Sequence, residues 1–139
     1  MSPRRQSRIV AMQILYQIQL TAAPVPIVME QFWQSQDTSA KLRPFVVQLV
    51  EGTTAHLDAI DAVLQNTSEN WKLHRMPVVD LSILRCATYE ILYLSDIDPA
   101  TSINEAIEIA KSYSTPDSSK FINGVLDSTQ KKHLDVPEC

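Results

Sequence analysis

Glycine is nearly absent from this chain: 139 residues contain two, Gly52 and Gly124. So few positions with a free backbone argue against tight hairpins and glycine-rich, phosphate-cradling loops. Cysteine is equally scarce. Cys86 and Cys139 have no CxxC partner, which argues against a disulfide framework or thiolate metal site and for reduced thiols in a cytosolic protein. No apolar run is long enough to span a membrane, because Asp80, Arg85 and Glu90 interrupt the most apolar stretch, residues 78–94. The N-terminus lacks the apolar core of a signal peptide. Catalytic signatures are missing too: there is no P-loop, no GxGxxG, no HExxH, and no Ser or Cys set beside a histidine by a motif. His56, His74 and His133 lie in separate segments with no ligand spacing, and His56 reads as a core-edge residue. The chain is therefore read as a non-enzyme with no metal and no cofactor.

One further absence is of sign. No acidic residue precedes Glu30, whereas Arg4, Arg5 and Arg8 do, so the segment before Glu30 carries +3 and the net −4 leaves −7 on the rest. This asymmetry suggests a basic arm on an acidic body. Positive charge in the first turns of a helix opposes the macrodipole by a few tenths of a kcal/mol per residue. Phosphate contact is the functional reading of the cluster, and a solvated helix start is the alternative.

What the chain does contain is helical periodicity punctuated by eight prolines. A first helix is expected from Pro3 or Arg4 to Leu20, with Ile9, Met12 and Tyr16 on its apolar stripe. A shorter one begins near Pro26 and turns Ile27, Phe32 and Trp33 inward. A long third helix is expected over about 41–66, with Pro44 in its opening turn. A short helical turn with Trp71, Leu73 and Met76 docks before the central helix, 78–94. That helix is apolar on nearly every side, hence buried. Arg85 in its middle needs a carboxylate, for which Glu105 is the expected partner. Ser102-Ile103-Asn104-Glu105 has the form of a capping box with Ser102 as N-cap. Asp117 or Ser118 caps the last helix, which buries Phe121, Ile122, Val125 and Leu126. Gly124 inside it costs ~1 kcal/mol against alanine, so a close backbone neighbour is expected there. The fold class is all-α, a single domain of six or seven helices.

Several of these segments together carry a resemblance. Arg4-Arg5-x-x-Arg8 leading to Leu15-Tyr16, Trp71-x-Leu73-x-Arg75, Asp80-x-x-Ile83-Leu84-Arg85, Tyr89-Glu90, Ile103-Asn104-Glu105-Ala106, Ala110-Lys111 and Phe121-Ile122-Asn123-Gly124-Val125-Leu126-Asp127 resemble the NusB family of transcription antitermination factors, in order and along essentially the whole chain. The resemblance implies two packed helical sub-bundles, about 1–66 and 67–139, and binding of boxA-type single-stranded nascent RNA. It implies the ribosomal protein NusE as partner, within an RNA polymerase elongation complex that also holds NusA and NusG. Carried over by position, Arg4, Arg5, Arg8, Tyr16, Asp117, Lys120 and Phe121 face RNA, the arm and last loop forming one surface. Asp80, at an exposed start of the central helix, faces NusE. Gln6 and Ser7 interrupt the arginine run, which implies few phosphate contacts and modest affinity, with base stacking on Tyr16 or Phe121 making up the difference. Two other readings compete. One is the RNA-binding region of a ribosomal-RNA cytosine methyltransferase, which requires a truncated chain, whereas the initial Met and the polar, proline-bearing tail favour a complete protein. The other is a helical adaptor whose arginines only solubilise it.

Overall fold

The structure, a computed structural model, describes residues 2–68 and 72–133, and among these it is all helical. Seven α-helices follow in order: α1 (Pro3–Thr21), α2 (Val25–Ser35), α3 (Arg43–Ala55), α4 (Leu57–Thr67), α5 (Val78–Tyr93), α6 (Pro99–Tyr113) and α7 (Pro116–His133). A single 3-10 turn, Leu73–Arg75, leads into α5. It seats Met76 in the core as expected, whereas Trp71 and Cys139 lie outside the described residues.

Helix α5 is the axis of the molecule. It packs against α1, α3, α4, α6 and α7, and its buried positions run without a gap from Cys86 to Ile91. Leu84, on the preceding turn, is fully buried with Val46, Leu49, Ile60, Leu64 and Ile122 from three other helices. Removing such a side chain from water stabilises the fold by roughly 1.5–3 kcal/mol each, and the buried apolar residues form one continuous cluster. Helices α1 and α5 are antiparallel: Arg8 meets Glu90, while Tyr16 and Val79, from the opposite ends of their helices, line a common groove.

Several expected details differ. The long third helix is two, α3 and α4, meeting at His56 (φ −110°, ψ 21°). Backbone bonds continue through the junction, from His56 N–H to Gly52 and from Ile60 N–H to His56. Just before the junction, Thr54 donates its hydroxyl back to the Val50 carbonyl at 2.9 Å. The imidazole of His56 stacks outside the core on Tyr93, centroids 4.1 Å apart. Gly52 is required there, because a Cβ would overlap the ring of Tyr89. Gly124, where a close neighbour was expected, faces open space. On α2 the inward face is Val28, Met29 and Phe32, with Trp33 half-buried and Ile27 half exposed instead of buried.

The helix caps also moved. Helix α6 starts at Pro99, capped by Asp98, which accepts from the Ala100 N–H at 3.0 Å. Ser102 is thus inside the helix and buried, not its cap. Helix α7 is capped by Thr115, whose hydroxyl accepts from the Ser118 N–H at 3.0 Å, and not by Asp117 or Ser118. Arg85 does take a carboxylate, but from α4: Nε and Nη2 donate to Asp61 at 2.8 Å each, and Nη1 to Gln19 at 2.7 Å. Glu105 is engaged elsewhere.

Candidate nucleic-acid interface

The basic arm is the first turn and a half of α1. Ser2 caps it by accepting from the Arg5 N–H at 3.1 Å, and Pro3 begins the helix. At this helical spacing Arg4, Arg5 and Arg8 point in different directions, and they meet different fates. Arg8 is 6 % exposed and forks onto Glu90 of α5, Nε–Oε2 2.9 Å and Nη2–Oε1 2.8 Å. Ser102 donates to the same Glu90 at 2.9 Å. Burial weakens the charge on Arg8, but Glu90 and Glu105 outweigh it, and its pKa stays above the ordinary guanidinium value. Arg8 is therefore a structural cation, and the expectation that it reaches phosphate is corrected: a charge inside the bundle must be paired there.

Arg5, its side chain 36 % exposed, forks onto Glu105 of α6, with Nη2–Oε2 at 2.5 Å. The hydrogen bond from Arg5 holds the Glu105 carboxyl below the usual carboxylate range. Arg4 is exposed and lies over the Phe45 ring, 3.9 Å from its centroid. Phe45, Glu90 and Glu105 are the arm's partners that sequence reasoning missed. The only trace of them was two glutamates on otherwise apolar helix faces.

The second cluster forms where α7 begins. Asp117 and Phe121 line a groove of about 320 Å³ with Arg75, Met76, Pro77, Asp80 and Ser118. Lys120, the residue before Phe121, is exposed, and Phe121 is half-buried. Arg75 joins this group although only its motif, not its role, was noted in the sequence. Asp80 is 3 % exposed, so it is not on the surface as expected. It accepts from the Ser114 hydroxyl at 2.6 Å and the Ser118 hydroxyl at 2.8 Å, tying the α6–α7 corner to the first turn of α5. A charge reversal there would break this corner.

Tyr16 lies apart from both clusters, in a groove of about 340 Å³ with Phe32, Gln36, Val79, Tyr113 and three neighbours on α1. The arm and the start of α7 do not meet: Glu105, which holds Arg5, and Ser114, which holds Asp80, are nine residues apart on and just past α6, about 14 Å along the axis. The single surface expected from the sequence would thus have to span two clusters at this spacing. No helix among the described residues is long and apolar enough to cross a membrane.

Comparison with known proteins bears on these clusters. The transcription antitermination protein NusB of Thermodesulfovibrio yellowstonii is 38 % identical over 94 % of this chain and 93 % of its own length. That of Desulfatibacillum aliphaticivorans is 41 % identical over 92 % and 90 %. Among solved structures, T. maritima NusB superposes with a TM-score of 0.85 at 36 % identity, covering 95 % of this chain and 93 % of that one. At 21 % identity, the fold is shared with a crystal structure of the antitermination factors NusB and NusE in complex with dsRNA, TM-score 0.84, covering 94 % of this chain and 97 % of that one. With the family profile matching residues 5–131 as well, the chain belongs to the NusB family.

Proposed function

We propose that this protein is a non-catalytic transcription antitermination factor of the cytoplasm that binds boxA-type single-stranded nascent RNA together with the ribosomal protein NusE. In this reading the complex joins RNA polymerase with NusA and NusG. The observation that carries the proposal is the groove at the start of α7. It sets an aromatic ring, Phe121, beside Arg75, and Lys120, the preceding residue on α7, is exposed. Single-stranded RNA is held by this combination, a ring for an unstacked base and cations for its phosphates. The names of the full-length relatives support it. Arg4 and the half-exposed Arg5 add phosphate contacts at the far end of α6, and Tyr16 a further aromatic. NusE is assigned to the α6–α7 corner that Asp80 holds from below through Ser114, beside the groove whose Asp117 and Phe121 face RNA.

The test is a titration of boxA-type single-stranded RNA and a scrambled control, with and without NusE. Phe121→Ala is expected to lower affinity by about 1–3 kcal/mol, the worth of one stacked base. Arg4→Ala is expected to flatten the slope of log affinity against log salt by about 0.7. Equal binding of both RNAs by wild type and Phe121→Ala, with NusE present, would leave a protein-binding adaptor as the correct description.

A further inference from the structure

The cations of the arm have two sides, and they differ in charge. Towards α6, Arg4 shares a shallow cleft with Asp96, Asp98 and Glu105, and Arg5 and Arg8 are already forked by carboxylates. Towards α3 the environment is basic and aromatic. No carboxylate lies in the first turn of α3. Arg4 lies over the Phe45 ring at 3.9 Å, with Arg8 behind it at 5.5 Å. Arg43, two residues before Phe45, lies over Trp33 of α2 at 4.9 Å. The Ser7 hydroxyl donates to the Leu42 carbonyl at 3.3 Å, so the turn carrying Lys41 and Arg43 is pinned to the start of α1. Leu42 itself is buried, which fixes that turn from below. Arg4, Lys41 and Arg43 are all exposed, and among the described residues none of the three forms an ion pair. The carboxylates near them in the chain are Glu30, which accepts from Gln34, and Asp37 in the connecting loop.

We infer that Arg4, Lys41 and Arg43 form a further RNA-contacting strip, over which the RNA backbone passes from the arm across the start of α3. This rests on the RNA-binding reading above and adds a path to it. Charge decides the direction, because a polyanion leaving Arg4 towards α6 meets three carboxylates, whereas towards α3 it meets two cations. Stacking makes the strip effective. A guanidinium already held over a ring gives up less side-chain freedom when it binds phosphate, and its remaining donors stay available. Half-buried Phe45 and Trp33 act as positioning residues for the two arginines.

The experiment measures binding of the same boxA-type RNA by fluorescence anisotropy at several salt concentrations, for wild type, Lys41→Ala with Arg43→Ala, and Lys131→Ala with Lys132→Ala. The last pair removes two charges from the far end of α7. Circular dichroism and urea unfolding establish that each variant is folded. The Lys41/Arg43 variant is expected to lose about three- to tenfold in affinity and about 1.4 from the salt slope, two contacts at ~0.7 each for a single strand. The Lys131/Lys132 variant is expected to match wild type. An unchanged slope and affinity for the Lys41/Arg43 variant overturns the strip while leaving the groove at α7 standing. An equal loss in both variants also overturns it, since net charge alone would then explain the effect. Absence of RNA binding by wild type, with and without NusE, overturns the RNA reading and the strip together.

Discussion

Both ends of α5 bury a carboxylate, and the two are satisfied by opposite means. Asp80, in the first turn, accepts two serine hydroxyls and forms no ion pair among the described residues. Glu90, in the last turn, takes the full fork of Arg8 as well as the Ser102 hydroxyl. Helix polarity accounts for the difference. The first turn presents unsatisfied N–H groups and the positive end of the macrodipole, so neutral donors suffice for Asp80. The last turn presents carbonyls and the negative end, which oppose a carboxylate and require a cation. An arginine of the arm is thus held by the fold at one end, whereas the other end leaves its hydroxyls close to the surface, beside the groove at α7.

This contrast can be measured. Glu90→Gln should have the largest effect, because it strands Arg8 in the interior. The expected loss is about 3–5 kcal/mol in urea unfolding, towards the lower figure because Glu105 still lies 3.6 Å from Arg8. Arg8→Met combined with Glu90→Met should recover most of that loss, since removing a buried pair whole is close to neutral. Asp80→Asn should cost less, about 1–2 kcal/mol, as one serine hydroxyl loses its acceptor and the other can turn to accept from the amide. An Asp80→Asn loss as large as that of Glu90→Gln would mean that the dipole argument fails.

The third test is acid. Glu105 titrates below its ordinary range in the folded protein. A depressed carboxylate contributes stability that is fully present above its unfolded pKa and is lost as pH falls through the folded value. The urea midpoint should therefore hold steady from neutrality down to the usual carboxylate range and fall beneath it, with a shallower fall in Glu105→Gln. The smallest effect is expected at Gly124, in the middle of α7. Gly124→Ala, with open space for its methyl, should stabilise the protein by about 0.5–1 kcal/mol through helix propensity alone.

The helices and the buried character of α5 were legible because each rests on periodicity within one segment, which a single sequence displays. The need of Arg85 for a carboxylate was legible too, but the identity of the carboxylate was not. Asp61 and Glu105 are both polar residues on amphipathic helices, and only the packing of α4 against α5 selects Asp61. The same limit applies to the arm. Three arginines within one and a half turns look alike in sequence, yet the interior claims Arg8, α6 shares Arg5, and Arg4 rests over Phe45. Asp80 was misplaced for a local reason: a proline before a helix suggests an exposed start, and nothing in the segment itself shows that the corner Ser114–Ser118 folds over it.

The bonds that hold the start of α1 reach far along the chain. Arg8 waits for a partner 82 residues later and Arg5 for one 100 residues later. Proteins are made from the N-terminus at about 5–20 residues per second, and contacts of such separation form late. A nascent chain ending before α6 therefore has helix α1 with Arg5 unneutralised, and one ending before Glu90 exposes Arg8 as well. During synthesis these two guanidiniums therefore stay without their carboxylates until the second half of the chain arrives, and the order of translation sets how long the arm carries them unpaired.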